Sequence, residues 1–289
     1  MRVTTLGLAS SLAVLSQASS GHKHNDCGPT NNTVWLCGDS TTAPGGGHNG
    51  TEGWGQYLKY SFPPNIRVNN SAYAGRSARS FTREGRFQAI ADKIVPGDWV
   101  VIEFGINDAN GYFTPANDTK YRVDCPGMSE EPCMGIFNNA TEIVQTYSTY
   151  LKQASMLFLA RGASVILASP LLTNPYQSGT YKYNPSIYTY YAWSAAAALG
   201  GPAAGVYFVD HGAYAAQATK LLGQDQVNAW YPMDNTHLAP GLADVYAKAF
   251  TLGVKCGGSG LGYQVVNTTS RIEGPVLGAC LGVNATMPI

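Results

Sequence analysis

The chain predicts an α/β fold in which a parallel sheet is flanked by helices. Short apolar runs alternate with longer stretches of helical periodicity along the 289 residues, as strands joined by crossover helices do. The run Trp99-Val100-Val101-Ile102 is apolar at every position, as a strand covered on both faces must be. No internal repeat or long linker divides the chain, so one domain over residues 19–289 is the economical reading.

Five strands are expected, at residues 33–36, 66–68, 99–104, 164–167 and 206–209. Between them the pattern predicts helices at 53–60, 82–90, 142–160, 187–199 and 214–222. A last helix should start at Pro240, a favoured first helical position, and run to about Val254. Two long loops remain, 111–137 after the third strand and 171–186 after the fourth. Ligands of open α/β sheets bind beyond the carboxyl ends of the strands, so both loops are expected to wall a site.

Residues 1–18 read as a signal peptide. Arg2 gives a basic start, Leu6 to Leu15 is a short apolar stretch, and Ser16-Gln17-Ala18 offers small residues for cleavage. No later run reaches the ~20 apolar residues of a spanning helix. The expectation is a secreted, extracellular protein without a membrane partner. Lys+Arg and Asp+Glu number 18 each, with no basic cluster, so no nucleic-acid partner is expected. Only 12% of residues are charged, while Tyr reaches 18 and Trp 5; such a surface suits neutral or weakly acidic carbohydrate.

Six cysteines in a secreted chain point to disulfides. Fifteen pairings are open; pairing nearest neighbours gives Cys27–Cys37, Cys125–Cys133 and Cys256–Cys280. There is no Cys-x-x-Cys and the five His are scattered, so no metal site or cofactor is assigned. Sequons begin at Asn31, Asn49, Asn69, Asn117, Asn139, Asn267 and Asn284. Roughly half are expected to carry glycan, because a sequon inside a packed element cannot.

Four blocks carry candidate chemistry. Gly38-Asp39-Ser40 ends the first strand and supplies a hydroxyl; Asp234-Asn235-Thr236-His237 supplies a carboxylate and an imidazole three residues apart. One turn presents both on the same side, so the carboxylate fixes one ring nitrogen while the other faces Ser40. Gly75 and Asn107 offer a backbone N–H and a side-chain amide, the donors that stabilise a tetrahedral oxyanion. Each block alone has an ordinary explanation: a strand-exit turn for Gly-Asp-Ser, a helix cap for Asp234, a turn glycine for Gly75, a loop anchor for Asn107. Their order and placement at strand ends favour acyl transfer by Ser40, His237 and Asp234, with the Gly75 amide and Asn107 as oxyanion donors.

Other polar residues receive structural roles. Asp39 and Asp108 are expected to bind loop amides. Adjacent residues on an extended strand point apart, so Asp210 is expected to anchor a loop and His211 to sit at the rim. His48 is read as surface or rim, and Arg76, Arg79 and Arg83, which have Glu84 or a uronate carboxylate as alternative partners, as a solvated helix face.

These blocks resemble the SGNH (GDSL-like) hydrolase superfamily. Within it, Gly38-Asp39-Ser40-Thr41-Thr42-Ala43, Ala74-Gly75-Arg76-Ser77-Ala78-Arg79-Ser80 and Val101-Ile102-Glu103-Phe104-Gly105 are similar to the fungal rhamnogalacturonan acetylesterases. The likeness runs from about Val34 to Cys280. It implies a three-layer α/β/α sandwich on a five-stranded flavodoxin-like sheet, the same catalytic set with the Ser40 amide as a further oxyanion donor beside Gly75 and Asn107, and pairing of Cys125 with Cys133 and Cys256 with Cys280. Ile106 stands where that family has a histidine, and Ala109-Asn110 replaces a Gly pair. The expected function is a monomeric esterase that removes acetyl groups from a plant cell-wall polysaccharide, rhamnogalacturonan first. The alternatives are an esterase for acetylxylan or other acyl esters, or a carbohydrate-binding homologue without activity.

Overall fold

The computed structural model describes residues 32–109, 113, 121–266 and 278–282. All five expected strands form: β1 (Thr33–Gly38), β2 (Arg67–Asn70), β3 (Trp99–Glu103), β4 (Ser164–Ala168) and β5 (Val206–Val209). Every pairing is parallel and the order across the sheet is β2-β1-β3-β4-β5. In this order the chain moves outward from β1 in both directions, so the carboxyl ends of β1 and β3 flank a topological switch point.

The helices are α1 (Ala78–Arg83), α2 (Arg86–Ala91), α3 (Tyr147–Leu159), α4 (Ile187–Ala198), α5 (His211–Leu222), α6 (Gln224–Ala229) and α7 (Pro240–Cys256). They cover both faces of the sheet. Val34, Leu36, Val101 and Ile166 pack with Trp54 and with residues of α5 and α7. The alternate residues Trp35, Cys37, Ile102 and Leu167 pack with α1 to α4 through Phe81, Phe87, Phe158 and Ala195. Successive strand residues point to opposite faces, so burial on both sides accounts for the unbroken apolar runs. The three-layer α/β/α architecture is the one expected.

Several elements differ from the expectation. The helix expected at 82–90 is two: Ser77 opens α1 with a capping box to Ser80, and Gly85, at φ 67°, ends it. The helix expected at 53–60 is two short 3-10 turns, Trp54–Gln56 and Leu58–Ser61. The expected start of α3 is strand instead: Ala140–Val144 pairs antiparallel with Cys133–Phe137 as a hairpin, and Thr146 caps the helix that follows.

Cys125–Cys133 and Cys256–Cys280 are bridged. Cys37, by contrast, is a free thiol, 1% exposed and packed in the core beneath α1 and α3, so the expected Cys27–Cys37 pairing is not made. The signal peptide, Cys27, and the sequons at Asn31, Asn117, Asn267 and Asn284 lie outside the described residues; Asn49, Asn69 and Asn139 are exposed. Among the described residues, no helix is long and apolar enough to cross a membrane.

Candidate active site

β1 ends at Gly38, which must be glycine: a Cβ there would fall 2.6 Å from Thr42 Oγ1 and 3.0 Å from the Glu103 carbonyl oxygen. The chain then turns tightly, with the amides of Thr42 and Ala43 donating to the Asp39 carbonyl. The Asp39 carboxylate accepts from the Thr41 amide and hydroxyl, both at 2.8 Å. Asp39 thus braces the turn, as expected of it. Its pKa is raised to about 7: burial is the main cause, the two Thr41 bonds oppose it, and the charges of Glu103 and Asp108 add to it.

The turn delivers Ser40 to the crevice, where its Oγ lies 3.0 Å from Nε2 of His237. On the far side of the ring, Nδ1 is 2.7 Å from Oδ2 of Asp234. A carboxylate only accepts, so Nδ1 carries the proton and Nε2 is the acceptor for the Ser40 hydroxyl. The other oxygen, Oδ1 of Asp234, accepts from the amides of Thr236 and His237. One carboxylate therefore fixes both the turn and the ring. Partial desolvation raises the Asp234 pKa, but the His237 ring, the two amides and the His237 charge together hold it below the usual carboxylate value. The hydroxyl, imidazole and carboxylate expected to meet do meet, although they arise from positions almost two hundred residues apart.

The two expected oxyanion donors stand nearby in the fold. Gly75 is the third residue of a turn closed by the Arg76 amide on the Tyr73 carbonyl, and its φ of 75° favours glycine. Asn107, 7% exposed, follows β3 across the switch point. Its Nδ2 donates to the Arg76 carbonyl at 3.1 Å, and Arg122 Nη1 donates to its Oδ1 at 2.8 Å. Among the described residues, neither the Ser40 nor the Gly75 amide donates to a protein acceptor. Asp108 accepts from the amides of Ala78 and Gly105, the loop-binding role expected, and burial raises its pKa.

A cavity of about 430 Å³ adjoins the His237 turn through Thr236. Gly105 and Ile106 after β3, and the loop after β4 from Pro170 to Ser186, form its other walls. That second loop does wall the site.

Two expectations are overturned. His211 is not a rim residue: it is wholly buried, with Nδ1 2.5 Å from Glu103 Oε2 and Nε2 donating to the Tyr246 carbonyl at 2.8 Å. Residue 211 begins α5, with Asp210 as its cap, so the strand rule does not govern its direction. Trp54 Nε1 donates to the other Glu103 oxygen, and this buried cluster forms the floor under the Ser40 turn. Arg79 is not solvated either; it is 1% exposed and bonds the Val123 carbonyl and Glu142. Arg76 pairs with Glu84 and Arg83 with Glu142.

A parallel α/β sheet with a Ser–His–Asp chain at its switch point defines the protein as a hydrolase of the serine type. The chain belongs to the GDSL-like lipase/acylhydrolase family, whose model matches residues 36–241. A rhamnogalacturonan acetylesterase of Emericella nidulans is 44% identical over 245 residues, covering 85% of this chain and 93% of that protein. Among solved structures, the YxiM protein of Bacillus subtilis aligns with a TM-score of 0.60 at 22% identity, over 78% of this chain and 56% of that one. An acetylxylan esterase of Geobacillus stearothermophilus gives a TM-score of 0.50 at 19% identity, over 77% of this chain and 93% of that one. Both structural likenesses concern the fold.

Proposed function

We propose that the protein is a secreted carbohydrate esterase that removes acetyl groups from rhamnogalacturonan through an acyl-enzyme on Ser40. The observation that carries the reading is the unbroken chain Ser40–His237–Asp234, at 3.0 and 2.7 Å. The identity to a rhamnogalacturonan acetylesterase over most of both chains supports the substrate class.

In the reaction, Ser40 Oγ attacks the acetyl carbonyl carbon as its proton passes to His237 Nε2. The carbonyl π pair moves onto oxygen, which the Ser40 and Gly75 amides and Asn107 Nδ2 receive. The tetrahedral adduct collapses, the sugar oxygen leaves with the proton from His237, and acetyl-Ser40 remains. Water repeats the sequence: it loses a proton to His237, attacks the acyl carbon and releases acetate, and Ser40 recovers its proton. Asp234 holds the ring and stabilises the imidazolium throughout.

Acetate release from acetylated rhamnogalacturonan, acetylated xylan and a chromogenic acetate ester tests the reading. Fastest release per enzyme from rhamnogalacturonan is expected. Preference for xylan would replace the substrate and keep the chemistry; no turnover of any of the three would leave a binding protein.

A further inference from the structure

We propose that Arg122 is a positioning residue that fixes the amide of Asn107 with its nitrogen toward the oxyanion. The inference rests on the oxyanion role proposed for Asn107.

A side-chain amide is pseudo-symmetric. Rotated by half a turn, Asn107 would offer its oxygen to a developing negative charge, and a stabilising contact would become a repulsive one. Two neighbours forbid that rotation. The Arg76 carbonyl only accepts, so it demands the amide nitrogen; it lies 3.1 Å from Nδ2. The Arg122 guanidinium only donates, so it demands the amide oxygen; its Nη1 lies 2.8 Å from Oδ1. Nδ2 has two hydrogens, and the Arg76 bond uses one.

The same guanidinium ties the second donor to the first. A Cβ built on Gly75 would stand 2.8 Å from Arg122 Nη2, so the group lies against the Gly75 backbone while it bonds Asn107. The carbonyl that Asn107 grips belongs to Arg76, the residue after Gly75. Both donors are thereby registered to one turn. Withdrawal of electron density toward Oδ1 also makes Nδ2–H the stronger donor.

Turnover of a chromogenic acetate ester by Arg122→Met, Arg122→Lys, Asn107→Ala and the Asn107→Ala/Arg122→Met pair tests this. In an otherwise unchanged protein, Arg122→Met is expected to lower kcat ~10-fold or more with KM within ~3-fold, a loss realised in the transition state. On top of Asn107→Ala it should cost less than ~2-fold, because the amide it positions is gone. Arg122→Lys, still a charged donor, should recover most of the loss. An undiminished loss in the Asn107→Ala background, or a rise in KM with kcat intact, would overturn the inference. Should the methionine variant not fold, the shorter and neutral Arg122→Gln carries the same comparison. Wild-type turnover in Asn107→Ala would instead remove the oxyanion reading itself.

Discussion

The backbone at Gly47 is seated against the imidazole of His237: a Cβ there would lie 2.4 Å from the ring Cδ2 and 2.7 Å from Nε2. The loop that follows Ser40 therefore holds the ring that Ser40 bonds, with Thr51 Oγ1 anchoring the Gly47 amide at 2.8 Å. Gly47→Ala has to move the ring, the less rigid partner. We expect kcat to fall ~10-fold or more, since a displacement of about 1 Å at the reacting groups costs that much. Steady-state kinetics beside a thermal melt would check it; wild-type kcat would mean that the ring has room.

Asp234→Asn retains an oxygen for the Thr236 and His237 amides, so the turn should survive. What it loses is the acceptor that selects the tautomer. A fall of ~10³-fold or more in kcat with little change in KM is expected. Because Asp234 is held below the usual carboxylate value, it stays ionised in mild acid. A KM effect alone would assign Asp234 to substrate binding.

Asp39 makes stability depend on pH. Its folded pKa, about 7, is above the free value of 3.8, so between these limits the folded protein binds more protons than the unfolded chain. Its contribution is complete below pH 4 and is lost as pH rises toward 7, by roughly 4 kcal/mol at most. Asp39→Asn keeps an acceptor for Thr41 and should flatten this component. Urea midpoints at pH 4.5 and 7.5 for both proteins would reveal it; an equal fall in the two would refute the assignment.

The cavity beside Thr236 is expected to hold sugar rather than the acetyl group. Asn184 lies on its rim, and Asn184→Trp should fill it. For acetylated polysaccharide kcat/KM should drop ~10-fold, with turnover of a small acetate ester kept within ~2-fold, since remote binding energy is lost and the reacting centre is untouched. Equal losses on both substrates would place the reacting ester in the cavity.

The central strands were legible because they are apolar on both faces, and the Ser40 and His237 blocks because a hydroxyl stood at a strand end and an Asp-x-x-His turn just before a helix start. What escaped depends on contacts between distant segments. Residues 142–144 read as the start of a helix, yet they belong to a strand that pairs with Cys133–Phe137, and Glu142 gathers Arg79 and Arg83. His211 turns inward because Glu103, a lone carboxylate in an apolar strand, needs a partner there. Arg122 carried no local signal at all, since its role is set by Gly75 and Asn107.

Comparison of acetate release by the wild-type protein and by Ser40→Ala tests the central claim most directly. With the variant folded and melting as the parent does, a drop of ~10⁴-fold or more is expected, since among the described residues no other hydroxyl is bonded to the His237 ring. Release by Ser40→Ala within tenfold of the parent would contradict the account.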